Sequence, residues 1–165
     1  MLFRILAWGL CGFLLLIMTA CNQSYLTPTP EATIAVWDLE DLSPQPTPLP
    51  VMGEALSAAI IKTLQEEGFR AVEREKLLAL LEELHLGTTE LANPETKLKL
   101  GRLAGARYMI FGAYQTVGDC TRFDLRLVEV ETGRVLKTTK KVVKTQDPGT
   151  WLTSLEELTR ELVQK

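Results

Sequence analysis

Three strand segments near the carboxyl end, joined by turns too short to cross a sheet, constrain the fold of this chain more than any other feature. Arg107 to Val117 (RYMIFGAYQTV) is continuous and apolar enough to be a central strand, and Gly118-Asp119 is a turn. In the next segment Phe123, Leu125, Leu127 and then Val130 alternate with Arg122, Asp124 and Arg126, so one face is buried and the other is wet. Glu131-Thr132-Gly133 turns the chain again, into Arg134 to Lys144. A parallel return needs a crossover of about a dozen residues, so these strands form an antiparallel meander.

The chain before the meander is punctuated just as clearly. Thr33 to Leu39 (TIAVWDL) is a short β-rich run, ended by Glu40-Asp41 and by Ser43-Pro44-Gln45-Pro46-Thr47-Pro48-Leu49-Pro50, whose alternating prolines forbid a helix. From Gly53 to Glu67, Ala55, Leu56, Ala59, Ile60 and Leu64 keep to one helical face, and Gly68 stops the helix. Phe69 to Val72 is a second short strand. Leu77, Leu78, Leu81 and Leu84 predict an amphipathic helix closed by Gly87. Asn93 as cap, Pro94 at the first helical position and Glu95 in the first turn open a third helix, which runs through Leu98, Leu100 and Leu103 to Gly105. After Asp147-Pro148-Gly149 a last helix places Trp151, Leu152, Leu155, Leu158 and Leu162 on one side, to dock on the sheet. This order predicts a single α/β domain with packed helices and a mixed sheet of about five strands, parallel in its first part and antiparallel at its end.

The amino terminus carries a different signal. Ile5 to Ala20 is uncharged but falls short of the roughly 18 to 20 residues of a membrane-spanning helix, and it ends in small residues before a cysteine. It has the form of an export signal. Met18-Thr19-Ala20-Cys21 resembles the lipobox of bacterial lipoproteins, with Met where Leu is commoner. The resemblance implies that residues 1–20 are removed and that Cys21 is the lipid attachment site. Two or more acyl chains, at about 0.8 kcal/mol per buried methylene, hold a protein to a bilayer. Asn22 follows the cysteine where an Asp would, by the same resemblance, argue for the inner membrane, so the expected location is the periplasmic face of the outer membrane. Residues 21–32 read as a lipidated tether: Pro28 and Pro30 among Thr, Ser and Gln give an extended segment that reaches roughly 30 Å. Residues 33–165 form the domain.

Charge and cysteine count exclude several functions. Without residues 1–20, whose only charged side chain is Arg4, 145 residues remain with 17 basic against 21 acidic side chains. Such a surface does not bind nucleic acid by bulk electrostatics. Cys11 leaves with the signal and Cys21 is committed to lipid, so Cys120 has no intramolecular partner and a disulfide framework is excluded. His85, the only histidine, lies at a helix end, where a cation-capable side chain suits the helix dipole better than catalysis. Cys120 is placed in a turn beside Asp119, whose carboxylate raises rather than lowers a thiol pKa. Asp38, Glu40 and Asp41 gather at the carboxyl end of the first strand, where open α/β sheets bind ligands; a divalent cation and a solvated acidic loop start are both compatible with them. No glycine-rich phosphate loop precedes a helix. No catalytic residue, cofactor, metal or small-molecule substrate is therefore expected.

The succession Ile34-Ala35-Val36-Trp37-Asp38-Leu39, Val72-Glu73-Arg74-Glu75-Lys76-Leu77, Asn93-Pro94-Glu95-Thr96, Leu100-Gly101-Arg102-Leu103-Ala104-Gly105-Ala106-Arg107-Tyr108 and Leu127-Val128-Glu129-Val130-Glu131-Thr132-Gly133 resembles the CsgG-like family. That family contains the curli assembly and transport lipoprotein, and TolB-like amino-terminal domains and penicillin-binding-protein activator lipoproteins have similar cores. In the Leu-Gly-Arg-Leu-Ala-Gly run, Gly101 and Gly105 are expected to let helix backbone approach the sheet. The resemblance implies a non-catalytic accessory or scaffold in envelope or surface-structure assembly and transport, with a lipid anchor, protein partners in the envelope and self-association. Its alternative is a regulatory module that activates an envelope enzyme such as a peptidoglycan synthase. The curli transporter adds membrane-spanning hairpins; here the meander turns are too short for them, so channel activity is not expected.

Overall fold

The computed structural model describes residues 28–29, 31–45, 52–72, 74–86, 93–144 and 146–164. Cys21, residues 22–27 of the tether, residues 46–50 of the proline segment, Glu73 and Gly87 lie outside the described residues.

Strand β1 (Thr33–Val36) is followed by a two-residue strand β2 (Glu40–Asp41) and helix α1 (Met52–Glu66). Then come β3 (Arg70–Val72), α2 (Arg74–Glu83), α3 (Pro94–Leu103), the long strands β4 (Tyr108–Val117), β5 (Cys120–Glu129) and β6 (Val135–Val143), and α4 (Pro148–Val163). The sheet order is β3-β1-β4-β5-β6, with β2 also on β4. β1 runs parallel to both β3 and β4, whereas β4, β5 and β6 are antiparallel. The mixed α/β sheet predicted from the sequence is therefore present, with six strands instead of about five. Glu40-Asp41 is not merely the start of an acidic loop. After Val36 the chain leaves the sheet and then returns to pair Glu40 with Ala113 and Asp41 with Tyr114, so that edge of β4 does not stay unpaired.

Side-chain alternation along β4 and β5 sends two apolar sets to opposite sides. On one side Ile34, Val36, Tyr108, Ile110, Tyr114, Phe123, Leu125 and Leu127 meet α1 and α4 through Leu56, Ile60, Leu64, Trp151, Leu155, Leu158 and Leu162. Trp151 packs against Tyr114 and Phe123, with ring centroids 6.2 and 5.9 Å away, so α4 docks as its apolar stripe predicts. On the other side a smaller set, Ala35, Val72, Leu77, Ala104, Ala106, Met109 and Val130, lies under α2 and α3. This second layer stops short, leaving the far half of β4, β5 and β6 without a described helix above it.

That asymmetry corrects several apolar assignments. Leu78, Leu84, Leu103 and Leu152 belong to the periodic stripes, yet they are 39, 37, 50 and 36% exposed. For Leu78, Leu84 and Leu103 no described facing layer extends far enough to cover them, whereas Leu152 lies in the first turn of α4, beside the stripe that packs on the sheet. Gly101 behaves as expected: a Cβ there would stand 3.2 Å from Met109 Sδ and 3.4 Å from Val130 Cγ2. Gly105 does not. It has no atom within 4 Å of such a Cβ and a φ of +78°, so it ends the α3 segment by its left-handed conformation. Cys120 is the first residue of β5, opposite Val117, and the turn before it is Gly118-Asp119 alone. At the start of α3 the Asn93 side chain accepts the Glu95 amide at 2.9 Å, with Pro94 following, as the cap signal predicts.

Candidate functional site: the open sheet face

The break between β1 and β2 builds this site. The Trp37 amide still donates to the Ile110 carbonyl at 3.0 Å, but Asp38 and Leu39 swing off the sheet toward α1. There the Leu39 amide donates to Ser57 Oγ at 3.1 Å, and Ser57 in turn donates to the Gly53 carbonyl at 2.8 Å. The helix approaches so closely that a Cβ on Gly53 would lie 2.6 Å from the Leu39 carbonyl oxygen. Only glycine fits. Strand alternation puts Trp37 on the same half-covered side as Ala35, where it stands between α2 and α3.

The three acidic residues at this strand end do not converge. Asp38 receives a forked contact from Arg74, with Nε at 3.2 Å from both oxygens and Nη2 at 3.1 Å, and Arg74 also reaches Glu54 at 3.5 Å. The hydrogen bond to Asp38 raises the Arg74 pKa above its ordinary value, despite an opposing desolvation. Glu40 accepts from Lys97 Nζ at 2.6 Å, and Asp41 accepts the Ser43 amide at 2.9 Å. Each carboxylate is thus directed to its own partner. Among the described residues no group of three or more His, Cys, Asp or Glu side chains is placed to hold a metal ion.

Lys97 is the buried member of its pair: the residue is 9% exposed, and its ammonium lies 5.4 Å from the Trp37 ring centroid. A cation over an indole face and against a carboxylate is stabilised by both. Beyond it opens a cleft of about 370 Å³, lined by Trp37, Leu42, Leu98, Phe111, Val135 and Arg126 among others. Beyond the cleft no described helix covers the sheet. Across it, Phe111, Arg126 and Thr138 form one row, Ala113, Asp124 and Lys140 the next, and Gln115, Arg122 and Val142 the third. Arg122 donates to Asp124 at 2.7 Å, and that bond holds its pKa above the ordinary value.

Of the residues singled out from sequence, Cys21 lies outside the described region, and Asp38, Glu40 and Asp41 are close in chain but separate in role. His85 sits at the end of α2 with φ of 52°, its Nδ1 2.8 Å from the Glu82 carbonyl oxygen, an exposed local contact. The Cys120 thiol donates to Asp119 at 3.5 Å, and this bond raises its pKa. Nothing in the sequence marks Trp37, Lys97, Phe111 and Arg126 as one site. Their separate signals were visible, an aromatic at a strand end and an arginine on a wet strand face, but strand order brings them together.

The fold and this face define a class: a small α/β domain whose described helices cover one sheet surface fully and the other by half. Residues 18–116 match the family described as curli production assembly/transport component CsgG, and the chain belongs to that family, as the residue resemblance implied. No curated protein matches the chain by sequence. Among solved structures it is similar to the LpoB C-terminal domain from Salmonella enterica, with 18% identity and a TM-score of 0.60 over 72% of this chain and 86% of that one. It is also similar to lipoprotein GNA1162 from Neisseria meningitidis (14% identity, TM-score 0.60, 79% and 95% covered). A third is the PelC L103M dodecamer from Paraburkholderia phytofirmans (16% identity, TM-score 0.54, 84% and 93% covered). At such identities these likenesses show the fold.

Proposed function

We propose that this chain is a lipid-anchored envelope protein that works without catalysis, as an accessory or scaffold in the assembly and transport of an envelope or surface structure. The observation that carries this reading is where the family match begins. It starts at residue 18, so it takes in Met18-Thr19-Ala20-Cys21 and runs unbroken into β4. The match thus takes in the proposed lipid acceptor together with most of the folded domain, and residues 1–17 lie before it. In this reading residues 1–20 are removed, Cys21 carries the lipid, residues 21–32 are the tether, and residues 33–165 face the periplasm from the outer membrane. Self-association fits the reading, since one structural relative is a dodecamer.

The test is acylation. Cys21→Ser is expected to leave an unprocessed precursor and to abolish labelling by a radioactive fatty acid. Label at the wild-type level in that variant would sink the reading. The half-covered sheet also favours a second reading, a regulatory module that activates an envelope enzyme such as a peptidoglycan synthase, because a bare binding face serves a regulatory contact equally well. Pull-down from crosslinked envelopes separates the two: surface-structure components support assembly, and peptidoglycan synthases support activation.

A further inference from the structure

The open sheet face combines two features that a solvated surface does not need. Eight large apolar side chains are exposed among the described residues, and four of them, Leu42, Val117, Val135 and Val142, lie on or beside this one face. Val117 and Val142 are the two most exposed of all, at 59 and 60%. Apolar side chains gathered in this way mark an interaction surface more often than scattered ones do. The second feature is charge. The whole chain carries a net charge of −3, yet this face presents Lys97, Arg122, Arg126 and Lys140 against Glu40 and Asp124, and Glu40 is engaged by Lys97. Asp124 is already engaged by Arg122. Lys140 stands opposite Asp124 in the same row and Arg126 stands in the next, and their side chains make no ion pair or hydrogen bond with a described residue.

We propose that this face docks an extended acidic segment of a partner protein, with one large apolar side chain seated in the cleft between Trp37, Leu42 and Val135 and carboxylates reaching Arg126 and Lys140. Charge complementarity selects an acidic occupant, because an excess of cations on an otherwise acidic molecule steers anionic partners here and repels basic ones. The shape selects an extended one. The cleft alone would hold a single large side chain or a small molecule, but the same sheet face runs on from Ala113 and Arg126 past Asp124, Lys140 and Arg122 to Val142 and Val117, which a small ligand would leave uncovered. Guanidinium geometry adds specificity, since Arg126 offers paired donors to one carboxylate. The proposal rests on the accessory reading above only in placing the partner in the envelope.

The test uses the full chain purified in detergent, with a displayed library of random peptides as the probe and the Arg126→Glu/Lys140→Glu variant for counter-selection. Enriched peptides are expected to be acidic and to carry an aromatic or branched aliphatic residue. Measured by fluorescence anisotropy, an enriched peptide should bind the double variant about ten-fold or more weakly and should weaken with added salt. Lys62→Glu, on the exposed side of α1 across the sheet, should bind as the wild type does. If the reversal variant fails to fold by circular dichroism, Arg126→Gln/Lys140→Gln replaces it with the same expected direction. Neutral or basic enriched peptides, binding indifferent to both variants, or no enrichment would overturn the proposal. So would self-association of the chain that the reversal dissolves, which assigns the face to a second copy. Binding to phosphatidylglycerol vesicles abolished by the reversal, with no peptide selected, would assign it to a lipid surface and also overturn the proposal. Acylation at Cys21 is scored separately, so loss of peptide binding with label intact rejects the docking face alone, and the converse rejects only the lipoprotein reading.

Discussion

Lys97 shows what a single residue contributes to this fold. Its stem passes beneath Trp37, and its ammonium meets Glu40, whose own side chain is half in solvent. Removing the carboxylate strands a buried cation, whereas replacing Lys97 by an apolar side chain of similar shape leaves only Glu40, which is half in solvent and stays hydrated. Glu40→Ala is therefore expected to lower the unfolding free energy by about 1–3 kcal/mol in urea titration, and Lys97→Met by less. If Lys97→Met proves the more damaging, the pair is a surface contact of little weight. Asp147 gives a pH-dependent counterpart. As the cap of α4 it accepts the Thr150 amide at 2.8 Å and the Thr150 hydroxyl at 2.9 Å, and these bonds hold its carboxyl below the usual range. A carboxyl with a depressed folded pKa stabilises above its unfolded pKa of about 3.9 and loses that contribution as pH falls through the folded value. Thermal melts of wild type and Asp147→Ala should differ at neutral pH and draw together in strong acid; an undiminished gap there would remove charge from the explanation. At this scale the sequence was legible for Asn93, Pro94 and Glu95, where a cap is a local event. It was not legible for Asp38, Glu40 and Asp41, because neighbours in sequence were directed to α2, α3 and a local turn by a strand break that no periodicity announces.

Elements were read well wherever a face is long and its covering layer complete. The α4 stripe from Trp151 to Leu162 and the inward residues of β5 are examples, since each residue there reports the same environment as the residue one period away. β2 escaped notice because two residues carry no period at all. The exposed leucines of α2 and α3 were misassigned for a different reason: amphipathicity states which side of a helix is apolar, while burial depends on how far the opposing sheet extends. Contacts between elements sharpen this point into a paired prediction. Gly53→Ala would force a Cβ against the Leu39 backbone oxygen, which cannot move without breaking the Leu39 to Ser57 bond that holds the β1 to β2 excursion on α1. It should destabilise the protein by about 1–3 kcal/mol, as overpacking does. Gly101→Ala meets the flexible end of Met109 instead and gains roughly 1 kcal/mol of helix propensity, so its net effect should stay within about 1 kcal/mol of zero. Chemical denaturation of both variants decides it, and equal losses would show that the close approach of α1 to Leu39 has no special weight.

The molecule as a whole raises the question of assembly. The described core begins at Ala32, so a chain without residues 1–21 keeps every described core residue. Among the described residues no helix is long and apolar enough to cross a membrane, and β4 passes to β5 through two residues. β6 is an outer strand of the sheet, and it carries Lys137, Lys140 and Lys141 with Lys144 just beyond it. Lysines along an edge oppose strand pairing with a like edge, because each association would bring these charges together. Two of them are also in use: Lys137 donates to the Gln164 carbonyl at 2.8 Å, capping α4, and Lys141 pairs with Glu157. The opposite edge, β3, has only three residues. Neither edge favours strong pairing in free solution, so self-association should depend on confinement. Anchoring through Cys21 would hold domains in one plane at an effective concentration on the order of millimolar, enough to populate contacts that dilute solution does not. Sedimentation of the chain lacking residues 1–21 is expected to show mainly monomer at micromolar concentration, soluble without detergent, while the lipidated protein crosslinked in membranes shows higher species. A stable ring in the lipid-free sample would reject dependence on the tether. Monomers alone in the membrane would reject self-association, and the domain would then act one copy at a time.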